Sequence, residues 1–435
     1  MKVLNWYFKS NLLVRILLGL VLGAVAGIVF GPKIACISPL GDIFVRLLKM
    51  IVMPVVIFTL VVGAGSIQPA RLGKVGGKTV LFYMVTTVFA VGVGLLTGNI
   101  FQPGAGMELA GTASEGFGKE LAKPSLIDTL VNIVPKNPFS AVTSSKILQA
   151  IFFTFMFGIG LAFIRESEDQ RIKDAGETVY RFFEGGAEVM YKMVNWILQY
   201  APIGVFALIA VVFGKQGAEA FGPLGIVTLS IYLAIGIHYL FVYGMLLVMF
   251  RIPPRQFFAK AREATITAFV TRSSGGTLPV TLDIAQKKMG ISKGVYSFTL
   301  PLGATINMDG SAIYQGVCAI FIGFAIGAPL TIVQQLTVII TAVLASVGTA
   351  GVPGAGAIML LLVLNSVGLK VEPGTTVAMA YAMIFGIDAL LDMGRTALNV
   401  TGDLAVTCAV AKSENEIDET LWKKEEASET VVDAV

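Results

Sequence analysis

Long apolar runs separated by short basic stretches set the pattern of this chain. A bilayer-spanning helix needs about 20 apolar residues. Eight segments approach that length: Asn11–Phe30, Asp42–Gly65, Thr79–Phe101, Ile147–Phe163, Val194–Phe213, Pro223–Met249, Tyr296–Ile326 and Thr375–Val410. Two further stretches have apolar arms around a run of Ser, Thr, Gly and Pro: Phe257–Met289, with AFVTRSSGGTLPVTL at its middle, and Leu330–Val367, with VLASVGTAGVPGAGAIML. Such runs cannot continue a helix. Non-helical backbone at membrane depth survives only where protein buries it or it lines a cavity. The pattern therefore predicts two re-entrant helical hairpins, each dipping in and returning to the same side. A reading as tight small-residue packing seams does not require Pro279, Pro353 or so dense a Ser/Thr run. The order hairpin, helix, hairpin, helix, with halves entering from opposite faces, is an inverted repeat of the kind found in secondary transporters.

Loop charge orients the spans. Lys2, Lys9 and Arg15 flank the first; Arg71, Lys74 and Lys78 follow the second; Arg165, Arg171, Lys173 and Arg181 follow the fourth; Arg251, Arg255, Lys260 and Arg262 follow the sixth. The alternate loops are poor in basic residues or mixed with Glu, so the positive-inside rule places both termini in the cytoplasm. The segment Gly104–Asn137 falls outside as a loop with short helices. The tail after Lys412 reads as a solvated charged segment.

Composition narrows the class. Of 435 residues, 55% are hydrophobic and only 14% charged, and a soluble domain carries about a quarter charged residues. The net charge of +4 is spread over loops and gives nucleic-acid binding no support. Cys36, Cys318 and Cys408 are odd in number and form no disulfide framework. The N-terminus lacks a cleavage site before its apolar run and reads as a retained cytoplasmic end.

Within the last apolar run stand Asp388, Asp392, Arg395, Asn399 and Asp403. At ~100° per residue they fall within an arc of roughly 80° on one helix face. Ionisable groups at membrane depth mark a substrate or ion pathway; the plainer reading is ion pairs that hold helices together. The helix between the hairpins carries GATINMDGSAIYQG, Gly303–Gly316. Asn-Met-Asp-Gly is poor helix sequence, and unwinding there frees carbonyls at Gly303, Asn307 and Met308. Together with the Asn307 amide and the Asp309 carboxylate these make an all-oxygen cage suited to a small hard cation. His238, the sole histidine, reads as a packed or interhelical hydrogen-bonding residue. The fork of Arg395 suits a carboxylate, Asp392 suits an ammonium, and the helix N-termini near Ser273–Ser274 and Val352–Gly356 offer N–H groups to a second carboxylate. The pocket fits an acidic amino acid, with Asp309 and Asp403 left for Na⁺.

The motifs TRSSGGTLP, TINMDGSAIYQG, ASVGTAGVPGAGA and DMGRTALNVTGD, in this order, resemble the dicarboxylate/amino acid:cation symporter family, nearest to archaeal-type sodium–aspartate symporters. The resemblance implies an all-α polytopic protein of the cell membrane with eight transmembrane helices and two re-entrant hairpins, assembled as a homotrimer in lipid. Residues 1–78 and 104–217 would form a scaffold, 79–103 and 218–412 an elevator-like transport domain, and 413–435 a cytoplasmic tail. By the same resemblance Asp392 binds the substrate ammonium and Arg395 its side-chain carboxylate. Asn399, Ser274 and the Val352, Pro353, Gly354, Ala355, Gly356 tip hold the main-chain carboxylate, with Arg272, Ser273, Ser311 and Thr396 beside them. One sodium site would use Tyr83, Thr86, Thr87, Asn307 and Asp309. A second would use Gly303, Asn307, Asn399 and Asp403, and a third Thr305, Met308, Ser346, Val347 and Thr349.

Arg272 matches archaeal members, and Gln315 stands where potassium-countertransporting relatives have a proton-carrying Glu, which favours sodium alone. Gly275 replaces the pattern's Ser and Ser311 its Thr; the lost methyl leaves room for glutamate. The expected function is sodium-coupled symport of acidic amino acids, with a proton-coupled glutamate or C4-dicarboxylate symporter as the alternative. A dedicated channel does not need paired substrate-selective charges. A Ser hydrolase would lack a base near Ser274, and the Gly348–Gly356 run has neither a preceding strand nor the Gly-Lys-Ser/Thr of a nucleotide loop.

Overall fold

Glycines four residues apart decide how the first helix packs. The computed structural model describes residues 12–65, 75–107, 131, 134–144, 146–217, 221–347, 349 and 351–424. Helix α1 (Leu12–Phe30) passes through a 3-10 stretch, Gly31–Ile37, into α2 (Ser38–Gly65), and α5 (Gln170–Gln216) lies along both. A Cβ added to Gly19, Gly23 or Gly27 would come within 2.5, 2.6 and 2.5 Å of the carbonyl oxygens of Pro202, Phe206 and Ala210. The stripe is a small-residue seam that lets two backbones touch. Gly23→Ala is therefore expected to destabilise the purified protein by about 1–3 kcal/mol, the usual range for overpacking. Gly92→Ala, with open space where the Cβ would go, should leave the thermal unfolding midpoint unchanged. Equal midpoints for the two variants would refute the seam.

Further long helices are α3 (Gly77–Phe101), α4 (Ile147–Arg165) and α6 (Phe221–Met249), the last with a π-helical turn at His238–Val242. Then follow α7 (Pro254–Thr271), α8 (Ser274–Lys287), α9 (Lys293–Ile306) and α10 (Asp309–Ala325). Helices α11 (Ile332–Ser346), α12 (Ala355–Ser366) and α13 (Thr376–Ser413) complete the bundle. Six stretches of the described residues are long and apolar enough to cross a membrane, and the first, Val14–Gly65, takes in both α1 and α2. Helices α1, α2, α4 and α5 pack on one another, whereas α3 packs on α6, α10 and α11. Helix α13 is the centre of the second group and also reaches α1 and α5.

Both hairpins form, and for local reasons. Arms α7 and α8 pack together and are parted at Arg272, which takes a left-handed φ of 56°. Ser273 then caps α8, accepting the Gly276 N–H at 2.9 Å. Arms α11 and α12 also pack together, and α12 starts from Gly354 at φ 80°, a backbone conformation open chiefly to glycine. The two tips touch: the Gly351 carbonyl accepts the Ser273 hydroxyl at 2.7 Å and the Gly275 N–H at 3.2 Å. Between α9 and α10 the helix breaks where the sequence predicts, with Asn307 extended at φ −88°, ψ 92°. The Gly303 and Met308 carbonyls each still accept one N–H, from Asn307 and Ala312 at 2.8 Å. They are therefore half-satisfied rather than fully free.

Three expectations need correction or placing. The fifth predicted span, Val194–Phe213, is only the second half of α5: nothing in the charged stretch from Gln170 onward breaks a helix, and Asp169 caps its start. The tail is not simply solvated. Ile417 makes an antiparallel bridge to Ile291, and Trp422 is buried. The loop predicted over Gly104–Asn137 has residues 108–130, 132 and 133 outside the described residues, as are Asn11 of the first span and residues 425–435 of the tail.

Candidate functional site: a buried ionic centre between the hairpin tips

The polar stripe of α13 is entirely buried, and Arg395 is 0% exposed. Its Nη1 donates to Asp388 Oδ1 at 2.8 Å and its Nη2 to Asp392 Oδ1 at 2.7 Å. Spacings of seven and three residues put all three side chains on one face of one helix. These two ion pairs lie within α13 rather than between helices. The guanidinium carbon lies 4.0 Å from the centre of the Tyr314 ring, a cation–π contact. Arg395 Nε has no partner, so one buried donor is left over. Asp388, given no role from the sequence, is the residue that the site adds here; its place seven residues before Arg395 on the same face was the available signal.

The second hairpin closes over this group. The Gly354 N–H donates to Asp392 Oδ2 at 3.2 Å. A Cβ on Gly356 would stand 3.2 Å from Arg395 Cζ, so the first turn of α12 rests on the guanidinium. The first hairpin approaches from the other side: a Cβ on Gly351 would meet the Gly275 nitrogen at 2.9 Å, the Ala304 carbonyl at 3.0 Å and Ser274 Cβ at 3.4 Å. Ser274, Ser311 and Thr396 are buried on helices of this group, while Arg272, Val352 and Pro353 sit half-buried at the breaks and Ala355 is buried in the first turn of α12.

Two oxygen-rich clusters flank the α9–α10 break. In one, Thr87 Oγ1 is 2.7 Å from Asp309 Oδ1 and 2.8 Å from the Tyr83 carbonyl, with Thr86 Oγ1 3.1 Å from that same carbonyl. In the other, Asn307 Nδ2 donates to the Asn399 carbonyl at 3.0 Å and to Asp403 Oδ1 at 2.9 Å. The Asn399 amide oxygen accepts the Gly310 N–H at 2.7 Å, and its nitrogen is 3.2 Å from Met308 Sδ. A Cβ on Gly303 would fall 2.5 Å from both Asp403 Oδ1 and Tyr83 Oη, which joins the two clusters. The Asn307 side-chain oxygen is buried without a partner, an orphan acceptor on the side chain that donates to Asp403. Each cluster thus holds one carboxylate among neutral oxygens, a donor set whose charge suits a monovalent hard cation.

Two residues join the first cluster unannounced. Tyr243 Oη donates to Asp309 Oδ2 at 2.8 Å, and His238 Nε2 lies 3.2 Å from the same oxygen. His238 is thus an interhelical hydrogen-bonding residue, and it meets Tyr243 edge-on. The third predicted group is less assembled. Thr305, Ser346 and Thr349 turn their hydroxyls to the carbonyls of Leu302, Val343 and Ala345 in their own segments. Among the described residues no hydrogen bond joins Thr305 and Met308 to Ser346, Val347 and Thr349.

An apolar helical bundle with a buried ionic centre between broken helices defines a membrane carrier. Residues 12–413 match the Sodium:dicarboxylate symporter family, and the chain belongs to it. It is 38% identical over 426 residues to the Proton/sodium-glutamate symport protein of Bacillus caldotenax, covering 96% of this chain and 97% of that one. It is 34% identical over 391 residues to the Proton/glutamate-aspartate symporter of Escherichia coli (88% and 86% covered). With the C4-dicarboxylate transport protein of Bacillus subtilis it shares 31% over 415 residues (94% and 95%). The protein is a transporter, not an enzyme.

Proposed function

We propose that the protein carries acidic amino acids, L-aspartate and also L-glutamate, together with Na⁺. The observation that carries this reading is the juxtaposition of one fully buried guanidinium, keeping a spare N–H, with two carboxylate-bearing oxygen clusters at a helix break. Arg395 would take the substrate's side-chain carboxylate and Asp392 its ammonium, exchanging their present mutual pair for the ligand. The tips carrying Ser274 and Val352–Gly356 would hold the main-chain carboxylate with Asn399. Asp309 and Asp403 would each anchor one Na⁺, while Thr305, Met308, Ser346, Val347 and Thr349 would build a third site as the second hairpin closes. The mutual packing of α1, α2, α4 and α5, with α11, α12 and α13 touching both that group and the rest, supports a scaffold and a moving domain, working as an elevator in a homotrimer in the cell membrane with both termini cytoplasmic. Arg272 and Gln315 support the archaeal sodium–aspartate leaning.

A proton-coupled carrier of glutamate or C4-dicarboxylates is the second reading, favoured by the names of the relatives. Asp392 argues against a plain dicarboxylate, which has no ammonium to pair with it. Calorimetric titration of detergent-purified protein with L-aspartate and L-glutamate should give binding heat only when sodium is present. Full-rate uptake into sodium-free proteoliposomes under a proton gradient would overturn sodium coupling.

A further inference from the structure

Beyond Ser413 the chain folds back as a strap across the basic end of the bundle. The Ser292 N–H donates to the Glu416 carbonyl at 2.9 Å, and the Asp418 N–H to the Gly290 carbonyl at 2.8 Å. Asp418 then caps the short helix Glu419–Lys424, its Oδ1 accepting the Thr420 N–H at 2.8 Å. That helix brings Trp422 onto α7, where its Nε1 donates to Gln256 Oε1 at 2.8 Å and its ring lies 5.6 Å from Lys260 Nζ. Between the strap, the end of α13 and the α6–α7 turn is a cavity of about 310 Å³.

Its lining is mixed. Ile417, Pro253 and Trp422 supply apolar surface, and Arg251 and Lys412 supply two cations against the single carboxylate of Glu419. Lys412 is bound to Glu419 at 2.7 Å. Arg251 is exposed and has no ion pair among the described residues, and it sits on a left-handed turn at φ 56°. Among the described lining residues two cations thus face one carboxylate. Immediately before Arg251, α6 presents an outward apolar face: Phe241, Met245, Val248 and Met249 are 67, 62, 61 and 71% exposed. An apolar helix face ending at a cation, with a Trp across the cavity, is the arrangement of a membrane–water boundary.

We propose that this cavity holds the headgroup of an anionic phospholipid, with Arg251 on the phosphate and the acyl chains along Met245–Met249. The apolar face of α6, which ends two residues before Arg251, favours a lipid over a soluble anion, which would gain nothing from it. A cation near an anionic lipid surface is worth about 1 kcal/mol, or roughly a fivefold preference.

The full-length chain carrying Trp6→Phe and Trp196→Phe keeps Trp422 as its sole tryptophan. Placed in nanodiscs, it should be quenched about fivefold more effectively by acyl-brominated phosphatidylglycerol than by brominated phosphatidylcholine, following that preference. Arg251→Gly suits the turn's positive φ and should erase the difference while sodium-dependent aspartate binding is retained. Arg251→Lys, which keeps the charge, should preserve most of it. Equal quenching by both lipids overturns the proposal. So does relief of the phosphatidylglycerol quench by millimolar glycerol 3-phosphate or inorganic phosphate, which would make the site one for soluble anions. A lipid preference left intact in Arg251→Gly also overturns it.

Discussion

Arg395→Cys is expected to abolish measurable binding of L-aspartate and L-glutamate while leaving a folded protein able to take up small neutral amino acids. The guanidinium is fully buried, bonded to two carboxylates and stacked on Tyr314. Removing one partner of a buried ion pair costs about 3–5 kcal/mol, because the other charge is stranded. A substrate carboxylate stranded in the same way would lose, at about 1.4 kcal/mol per decade, about 100- to 4,000-fold in affinity. Asp388 and Asp392 would both lose their cation, so Arg395→Cys should also lower the unfolding temperature. Pairing it with Asp388→Asn removes one stranded charge and should recover stability without recovering aspartate binding. That split separates a binding role from a structural one. Calorimetry that returns the parent affinity for aspartate in Arg395→Cys would remove the pocket as drawn.

Much of this centre was legible because the residues that carry it are poor choices for an ordinary apolar helix. The Asn-Met-Asp-Gly run announces the break that α9 and α10 show, and the Ser/Gly/Pro runs announce both hairpin tips. What sequence reading misses depends on contacts between distant segments or on departures from regular helix. His238 and Tyr243 are five residues apart and would lie on different faces of a 3.6-residue helix. The π-turn His238–Val242 rewinds the backbone by i→i+5 bonding, so that both reach Asp309. Asp388 was visible in the stripe, seven residues before Arg395 on the same face, but that spacing alone does not say which carboxylate a fork will choose. The Phe82–Thr87 stretch reads as ordinary span without the family resemblance, yet Thr87 meets Asp309 directly. The strap was hidden by composition: a run rich in Glu and Lys reads as solvated, and only the lone Trp422 within it hints at a docked face.

Asp309→Asn and Asp403→Asn are expected to uncouple substrate binding from sodium. Each substitution is nearly isosteric, and each keeps an oxygen able to accept from its present donor, Tyr243 or Thr87 for Asp309 and Asn307 for Asp403. The fold should therefore survive while the local negative charge is lost. Linkage then requires reciprocity: if sodium strengthens aspartate binding, aspartate strengthens sodium binding by the same factor. A coupling of about 1–3 kcal/mol corresponds to roughly 5–150-fold, so each variant should lose a factor within that range from sodium's effect on the aspartate dissociation constant. The two sites need not respond alike. Asp403 stands against Gly303 and Tyr83 as well as Asn307, so its charge borders both clusters, whereas Asp309 is already held by Tyr243 and His238. The larger loss is accordingly expected at Asp403. Titrations with aspartate at stepped sodium concentrations measure this directly, and a sodium dependence identical to the parent in both variants would take these carboxylates out of the cation path.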